Sequence, residues 1–191
     1  VFGNRINVLM AGGAALNLHV AKFFCGMGAP IRQAYGLTES APVISMCEVK
    51  GNHPSTVGKP LIGIEARLGE LDELQVRGPQ VMKGYWNREE DTRRAFTEDG
   101  WLRTGDQADL SDGGRIRIKG RIKEIIVTSV GEKVSPVDLE FAILEDPLFD
   151  QVMVVGENRP YVAALVVLNN ERWRALCADL QVNPDDPSTR G

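Results

Sequence analysis

The chain has 191 residues, 43% hydrophobic and 25% charged, enough for one ordinary domain or one and a half small ones, and its composition is globular rather than disordered or membranous. A formal net charge of −4 argues against sequence-independent nucleic-acid binding, and the longest apolar run, Tyr161 to Leu168, falls far short of the roughly 20 residues of a spanning helix. Three widely spaced cysteines and two histidines without ligand partners leave no zinc signature and fit a reducing, cytoplasmic compartment. The sequence opens on Val1 and stops at Gly191 without closing an element, so a fragment of a longer polypeptide is expected.

Ile6 to Met10 reads as a short buried strand, followed by a turn of small residues, Ala11-Gly12-Gly13-Ala14-Ala15, where a flat ligand could approach the backbone. Leu16, Val20, Phe23, Phe24 and Met27 recur at helical spacing, Gly28 and Pro30 stop that helix, and Ile31 to Tyr35 is a second strand. Strand, helix, strand is a βαβ unit with parallel strands, and ligands of such sheets sit beyond the carboxyl ends of the strands. The turn Tyr35-Gly36-Leu37-Thr38-Glu39-Ser40 falls at such an end. Gly36 there permits a positive φ, Thr38 offers a hydroxyl and an amide to a phosphate oxygen, and Glu39 offers a hard oxygen to magnesium. The alternative, on sequence alone, is that Thr38 and Glu39 merely cap a following helix.

From Pro54 to Lys119 short strands alternate with turns, the pattern of a small barrel or curled sheet. Gly63–Leu68 and Glu73–Arg77 should pair across Gly69 to Asp72, with Val81–Trp86 a further extended run. Asn87 with Glu90 reads as the capping box of a brief helix ending near Phe96. Trp101 and Leu102 then lead into a tight Thr104-Gly105-Asp106 turn and an alternating strand with Ile116 and Ile118 on one face and Arg115, Arg117 and Lys119 on the other. Gly120 releases the backbone before Arg121 and Lys123. A carboxylate aimed at a polyol and an arginine aimed at an anion are one reading; a surface hairpin with solvated charges is the other.

After Gly120 the pattern is that of a compact α+β unit: a strand over Glu124–Thr128, a turn at Ser129 to Glu132, and a helix opened by Ser135 and Pro136 and stopped by Pro147. A hairpin of Gln151–Val155 and Tyr161–Leu168 follows. Asn170 then caps a helix with Trp173, Leu176, Cys177 and Leu180 as its core stripe.

In this order the turns resemble the adenylate-forming superfamily of AMP-forming acyl-CoA synthetases, luciferases and peptide-synthetase adenylation domains. Gly12-Gly13-Ala14-Ala15-Leu16 is similar to the family's adenine-binding turn, and Tyr35-Gly36-Leu37-Thr38-Glu39 to the motif in which Thr meets the α-phosphate and Glu binds magnesium. Leu74 to Gly78 with Gly84-Tyr85-Trp86 resembles the structural motif that follows. Thr104-Gly105-Asp106 resembles the motif whose Asp holds both ribose hydroxyls, and Gly120-Arg121-Ile122-Lys123-Glu124 the hinge motif. Lys123 at the pivot, Ile125-Ile126-Val127-Thr128-Ser129 and Val154-Val155-Gly156-Glu157-Asn158-Arg159-Pro160-Tyr161 point, within the superfamily, to long-chain fatty-acid–CoA ligases.

The resemblance implies a mixed α/β fold: the βαβ end of a parallel-sheet subdomain (1–53), a β-barrel-like subdomain (54–119), a hinge (120–123) and a small, incomplete α+β C-terminal domain (124–191). It implies ATP or AMP, Mg2+ and CoA as ligands and a fatty acid as substrate, with Thr38, Glu39 and Arg121 catalytic and Glu39 on the metal. Nucleotide contacts are implied for Gly13, Ala14, Ala15, Gln33, Ala34, Tyr35, Gly36, Thr38, Asp106, Ile118 and Arg121, pivoting for Lys123, and CoA contacts for Ser129, Val130 and Gly131. Val130 and Glu132 depart from the Gly and the small or basic residue expected in the CoA-facing turn. The family's phosphate-binding loop and C-terminal catalytic lysine have no counterpart in the sequence, so the fragment alone is expected to be inactive. A carrier-protein-loading or fatty-acyl-AMP ligase and a non-catalytic nucleotide-binding module are the alternatives. The family also allows peripheral membrane contact, although no basic amphipathic helix supports it.

Overall fold

The computed structural model describes residues 8–14, 16–29, 31–48 and 53–185. The start of the strand expected from Ile6, and Ala15 of the adenine-like turn, lie outside the described residues. Two compact units divide the chain, Val1–Lys123 and Glu124–Gly191.

In the first unit β1 (Leu9–Ala11), α1 (Leu18–Gly26) and β2 (Ile31–Tyr35) form the βαβ unit, with β1 and β2 parallel and Leu9 opposite Ile31. Asn17 opens α1, its side-chain oxygen accepting from the N–H groups of His19 and Val20 in the first helical turn. The apolar stripe expected on this helix is not a buried one: Ala21 is its buried residue, and Phe23 is 62% exposed. β3 (Ser45–Met46) and β4 (Lys59–Pro60) extend the sheet antiparallel beyond β2.

A second, antiparallel sheet runs in the order β5 (Glu65–Leu68), β6 (Glu73–Arg77), β7 (Leu102–Asp112), β8 (Arg115–Arg121). Its free edge curls back on the first unit's loops, Val57 donating to the Ile116 carbonyl and Ile116 to that of Gly58, both at 2.8 Å. Ile44, Ile64, Leu74, Val76, Leu102, Ala108 and Ile116 form the core between the sheets. Along β7 every second residue from Leu102 to Ala108 is buried, so the pleat carries Thr104 and Asp106 inward with the leucine and the alanine.

Thr104-Gly105-Asp106 is therefore not the expected turn. Glu73 pairs with Gln107 and Gln75 with Arg103, which sets three residues of β7 against one of β6. Gly105, at φ +72°, absorbs the surplus as a bulge, and its N–H donates to Glu73 Oε1 at 3.2 Å. A second irregularity follows between Gln107 and Ala108, opposite Gly120 and Ile118 of β8. Pairing rules favour regular ladders, and only the register across three strands shows where a residue is extra.

Other expectations shift for local reasons. Asn87 stands in the left-handed region and Arg88 precedes α2 (Glu89–Ala95) without a side-chain cap, so the capping box does not form. Residues 81–86 make no strand; Val81 closes a turn onto the Gly78 carbonyl and Met82 donates to the Glu39 carbonyl at 2.8 Å.

The second unit contains the ribbon β9 (Ile126–Val127) with β10 (Lys133–Val134), α3 (Pro136–Ile143), the hairpin β11 (Phe149–Val155) with β12 (Ala163–Leu168), and α4 (Asn170–Leu180). The strand expected over Glu124–Thr128 shrinks to β9, a short 3-10 turn taking up Ile122–Glu124. α3 docks on β11, where the Val154 N–H donates to Glu140 Oε1 at 2.8 Å. Asn169, one residue before the expected cap, accepts from Arg172 N–H and starts α4. Of the α4 stripe Cys177 is buried, while Leu180 is 63% exposed. Among the described residues no helix is long and apolar enough to cross a membrane.

Candidate active site

The carboxyl ends of β1 and β2 open, as the βαβ rule requires, onto a cavity of about 720 Å³, within the roughly 300–1,000 Å³ common for small-molecule sites. Gly12 and Gly13 from the end of β1, Ala34 to Glu39 from the end of β2, Tyr85, and Thr104 and Arg121 from the antiparallel sheet are among its walls.

Gly36 is essential here for space and not for a positive φ. A Cβ on it would lie 1.8 Å from the Pro42 carbonyl oxygen and 2.8 Å from Val43 Cα, so the backbone folds back on itself too closely for any side chain. That fold-back is held by the Ile44 N–H donating to the Tyr35 carbonyl at 2.8 Å and by Ser40 Oγ, which accepts from the Leu37 N–H and donates to the Leu37 carbonyl. Thr38 and Glu39 are thereby presented at the cavity, Thr38 exposed. Glu39 Oε1 accepts from the Tyr85 phenol at 2.7 Å, a bond that raises the Tyr85 pKa.

Asp106 sits beneath the same wall, almost sealed from water at 4% exposure. Its Oδ2 accepts from the Tyr35 phenol at 2.5 Å, its Oδ1 lies 3.2 Å from Arg121 Nε, and its N–H donates to Thr104 Oγ1 at 3.1 Å. Asp106 and Arg121 are register partners on β7 and β8, and Arg121 lines the cavity. Burial, then the neighbouring Asp106 carboxylate, push the Tyr35 phenol far above the ordinary tyrosine range, so it stays a hydrogen-bond donor.

Thr38, Glu39, Gly13, Ala34, Tyr35, Gly36 and Arg121 therefore meet at one cavity. Ala14 is an exposed neighbour of Gly13. Gln33 is turned away, its side-chain amide donating to the Pro54 carbonyl at 2.7 Å and to that of Thr56, and Ile118 packs against the core. Ser129, Val130 and Gly131 form an exposed turn of the second unit, closed by Gly131 N–H onto the Thr128 carbonyl. The sequence reading missed Tyr85, Pro42, Val43, Arg103 and Thr104 as cavity walls. For Tyr85 a signal existed in the Gly84-Tyr85 pair, where Gly84 at φ +150° packs against Thr92, whose Oγ1 accepts from the Tyr85 N–H.

Among the described residues no group of three His, Cys, Asp or Glu could enclose a metal ion. A lone carboxylate at a polar cavity suits Mg2+, which takes one or two protein carboxylates and completes its shell with phosphate oxygens and water.

Residues 2–86 match the model of the AMP-binding enzyme family, and residues 123–181 match that of the AMP-binding enzyme C-terminal domain. The chain belongs to the AMP-binding enzyme family. It is 37% identical over 194 residues to the long-chain-fatty-acid–CoA ligase FadD15 of Mycobacterium bovis, an alignment covering 96% of this chain and 32% of that protein. It is 33% identical over 183 residues to the chloroplastic long-chain-fatty-acid–[acyl-carrier-protein] ligase AEE15 of Arabidopsis thaliana, covering 85% of this chain and 25% of that protein. The chain thus spans a third or less of the length of these AMP-binding relatives. Among solved structures it resembles ATP-bound MatB from Rhodopseudomonas palustris (28% identity, TM-score 0.76, 85% of this chain and 35% of that one). It also resembles the o-succinylbenzoate CoA synthetase MenE of Bacillus subtilis with the acyl-adenylate OSB-AMP (26% identity, TM-score 0.78, 95% of this chain and 41% of that one). The mixed α/β architecture, with a curled antiparallel sheet beside a mixed one, is that of the adenylate-forming enzymes of this family.

Proposed function

We propose that the chain supplies the nucleotide-binding wall and the start of the small domain in an AMP-forming long-chain fatty-acid–CoA ligase. The observation that carries this is the meeting of Thr38, Glu39 and Arg121 at one cavity behind the close turn at Gly36. In the proposed reaction a fatty-acid carboxylate oxygen attacks the α-phosphorus of ATP, and pyrophosphate leaves with the bonding pair. The sulfur of CoA then attacks the acyl carbonyl, AMP leaves, and the thiol proton passes to solvent.

In this reading Thr38 donates to an α-phosphate oxygen and Arg121 offsets phosphate charge, groups positioned in advance for charge that develops during displacement. Glu39, steadied by Tyr85, would hold Mg2+ with the phosphates, and the ion supplies charge neutralisation on the leaving pyrophosphate. Gly13 and Ala14, with Ala34, Tyr35 and Gly36, line the adenine side, and Asp106 holds the ribose. Gln33 and Ile118 act behind that surface. Residues 120–123 serve as the hinge between an AMP-binding portion (1–119) and the small domain (124–191), with Lys123 as pivot. The division of the chain after Lys123 and the 3-10 turn Ile122–Glu124 support that placement. Ser129, Val130 and Gly131 would face CoA. A cytoplasmic location with peripheral membrane contact fits a fatty-acid substrate.

The full-length protein should exchange pyrophosphate into ATP in the presence of palmitate and release AMP when CoA is added. Absence of exchange with saturated fatty acids of every length overturns the reading. Transfer to a phosphopantetheinylated carrier protein in preference to CoA would place the protein beside the Arabidopsis relative instead. Asp106→Ala should depress exchange, whereas Lys123→Pro should slow thioester formation more than exchange. Equal loss of both steps in Lys123→Pro removes the pivot.

A further inference from the structure

The two oxygens of Asp106 are held in different ways. Oδ2 is bonded to a phenol on β2, an internal strand of its sheet, whose ring packs against the core. Oδ1 is held by Arg121, the last residue of β8, whose side chain is 58% exposed and lines the cavity. Arg121, 58% exposed, can turn into solvent, whereas the Asp106 side chain, 6% exposed, then needs another donor on Oδ1. The phenol has no such exit, since removing it would strand a donor and a carboxylate oxygen away from water. Burial and the Asp106 carboxylate raise the phenol's pKa, so it remains a donor at neutral pH.

We propose that Tyr35 is the positioning residue of Asp106 and that Arg121 is its displaceable cover. A ribose diol takes the Oδ1 that Arg121 holds, while Oδ2, which can accept a second bond, receives the other hydroxyl with the phenol still in place. The released guanidinium is then available to phosphate in the same cavity, so recognition of the sugar and of the phosphate is linked through one arginine. The inference rests on the nucleotide reading of the site.

Titration of the chain with AMP and with 2′,3′-dideoxy-AMP separates the two. The wild type should prefer AMP, and Tyr35→Phe should lower the ratio of its affinity for AMP to that for the dideoxy compound about tenfold, the size expected for one hydrogen bond to a charged group. An unchanged preference, or equal loss for both ligands, overturns the positioning role. Failure of the wild type to bind either nucleotide overturns the nucleotide reading itself. A measurement on the wild type stands even where the variant does not fold. The Arg121 Nε–H resonance, assigned by its disappearance in Arg121→Lys, should shift and exchange faster with adenosine but not with 2′,3′-dideoxyadenosine. The same response to both, or to neither, removes the displacement.

Discussion

The first unit and the second solve the same packing problem with unequal means. In the first, strands from two sheets meet over Ile44, Leu74, Val76, Leu102 and Ile116, each at most 1% exposed. In the second, the buried apolar side chains among the described residues are Ile126, Val154 and Cys177, and β12 is exposed from Ala163 to Val167. The polar groups that need tight placement, Asp106 and Thr104, are built into the well-packed unit, on the same strand face as its core. The polar turn at Ser129 to Gly131 lies exposed in the other. Precise placement of a buried carboxylate follows from dense packing around it.

The contrast is most directly broken by substitution in the two cores. Leu74→Ala should cost about 2–5 kcal/mol in urea unfolding, the range for a fully buried leucine leaving a cavity; a loss below about 1 kcal/mol would mean the first unit is loosely packed. Gly36→Ala should cost about 1–3 kcal/mol, since the backbone must shift to relieve the clash with the Pro42 carbonyl. It should also weaken AMP binding through displacement of Thr38; unchanged nucleotide affinity would separate the turn from the site. Leu165→Thr, on the 63% exposed face of β12, should stay within about 0.5 kcal/mol of wild type. Amide exchange sharpens the same point: β12 amides should exchange faster than those of β7, and equal protection would show that the second unit is covered in solution.

The smallest effect is spectroscopic. Tyr35 has a folded-state pKa above the unfolded one, so the stability it contributes is full below about pH 10 and declines as pH rises further. Tyrosinate absorbance of the folded chain at about pH 11 should therefore be the same in Tyr35→Phe as in wild type. A drop in amplitude would mean that the phenol is neither buried nor bonded to Asp106.

The order of elements was legible because it rests on short-range signals. The βαβ unit follows from apolar strands around a helical spacing, and Ile31–Tyr35 emerges with the expected bounds. The hairpin of β11 and β12 likewise follows from two apolar runs around a turn. The sequence alone also determined the family, since its motifs depend on residue identity at fixed local spacing. What only the tertiary structure decided was where residues far apart in the chain come to rest. The bulge at Gly105, the close approach at Gly36 and the bonds of Tyr35 and Arg121 to Asp106 depend on register across strands, which no local periodicity encodes. The sequence reading puts Asp106 on a turn; only the packed strands carry it inward and decide what it meets there.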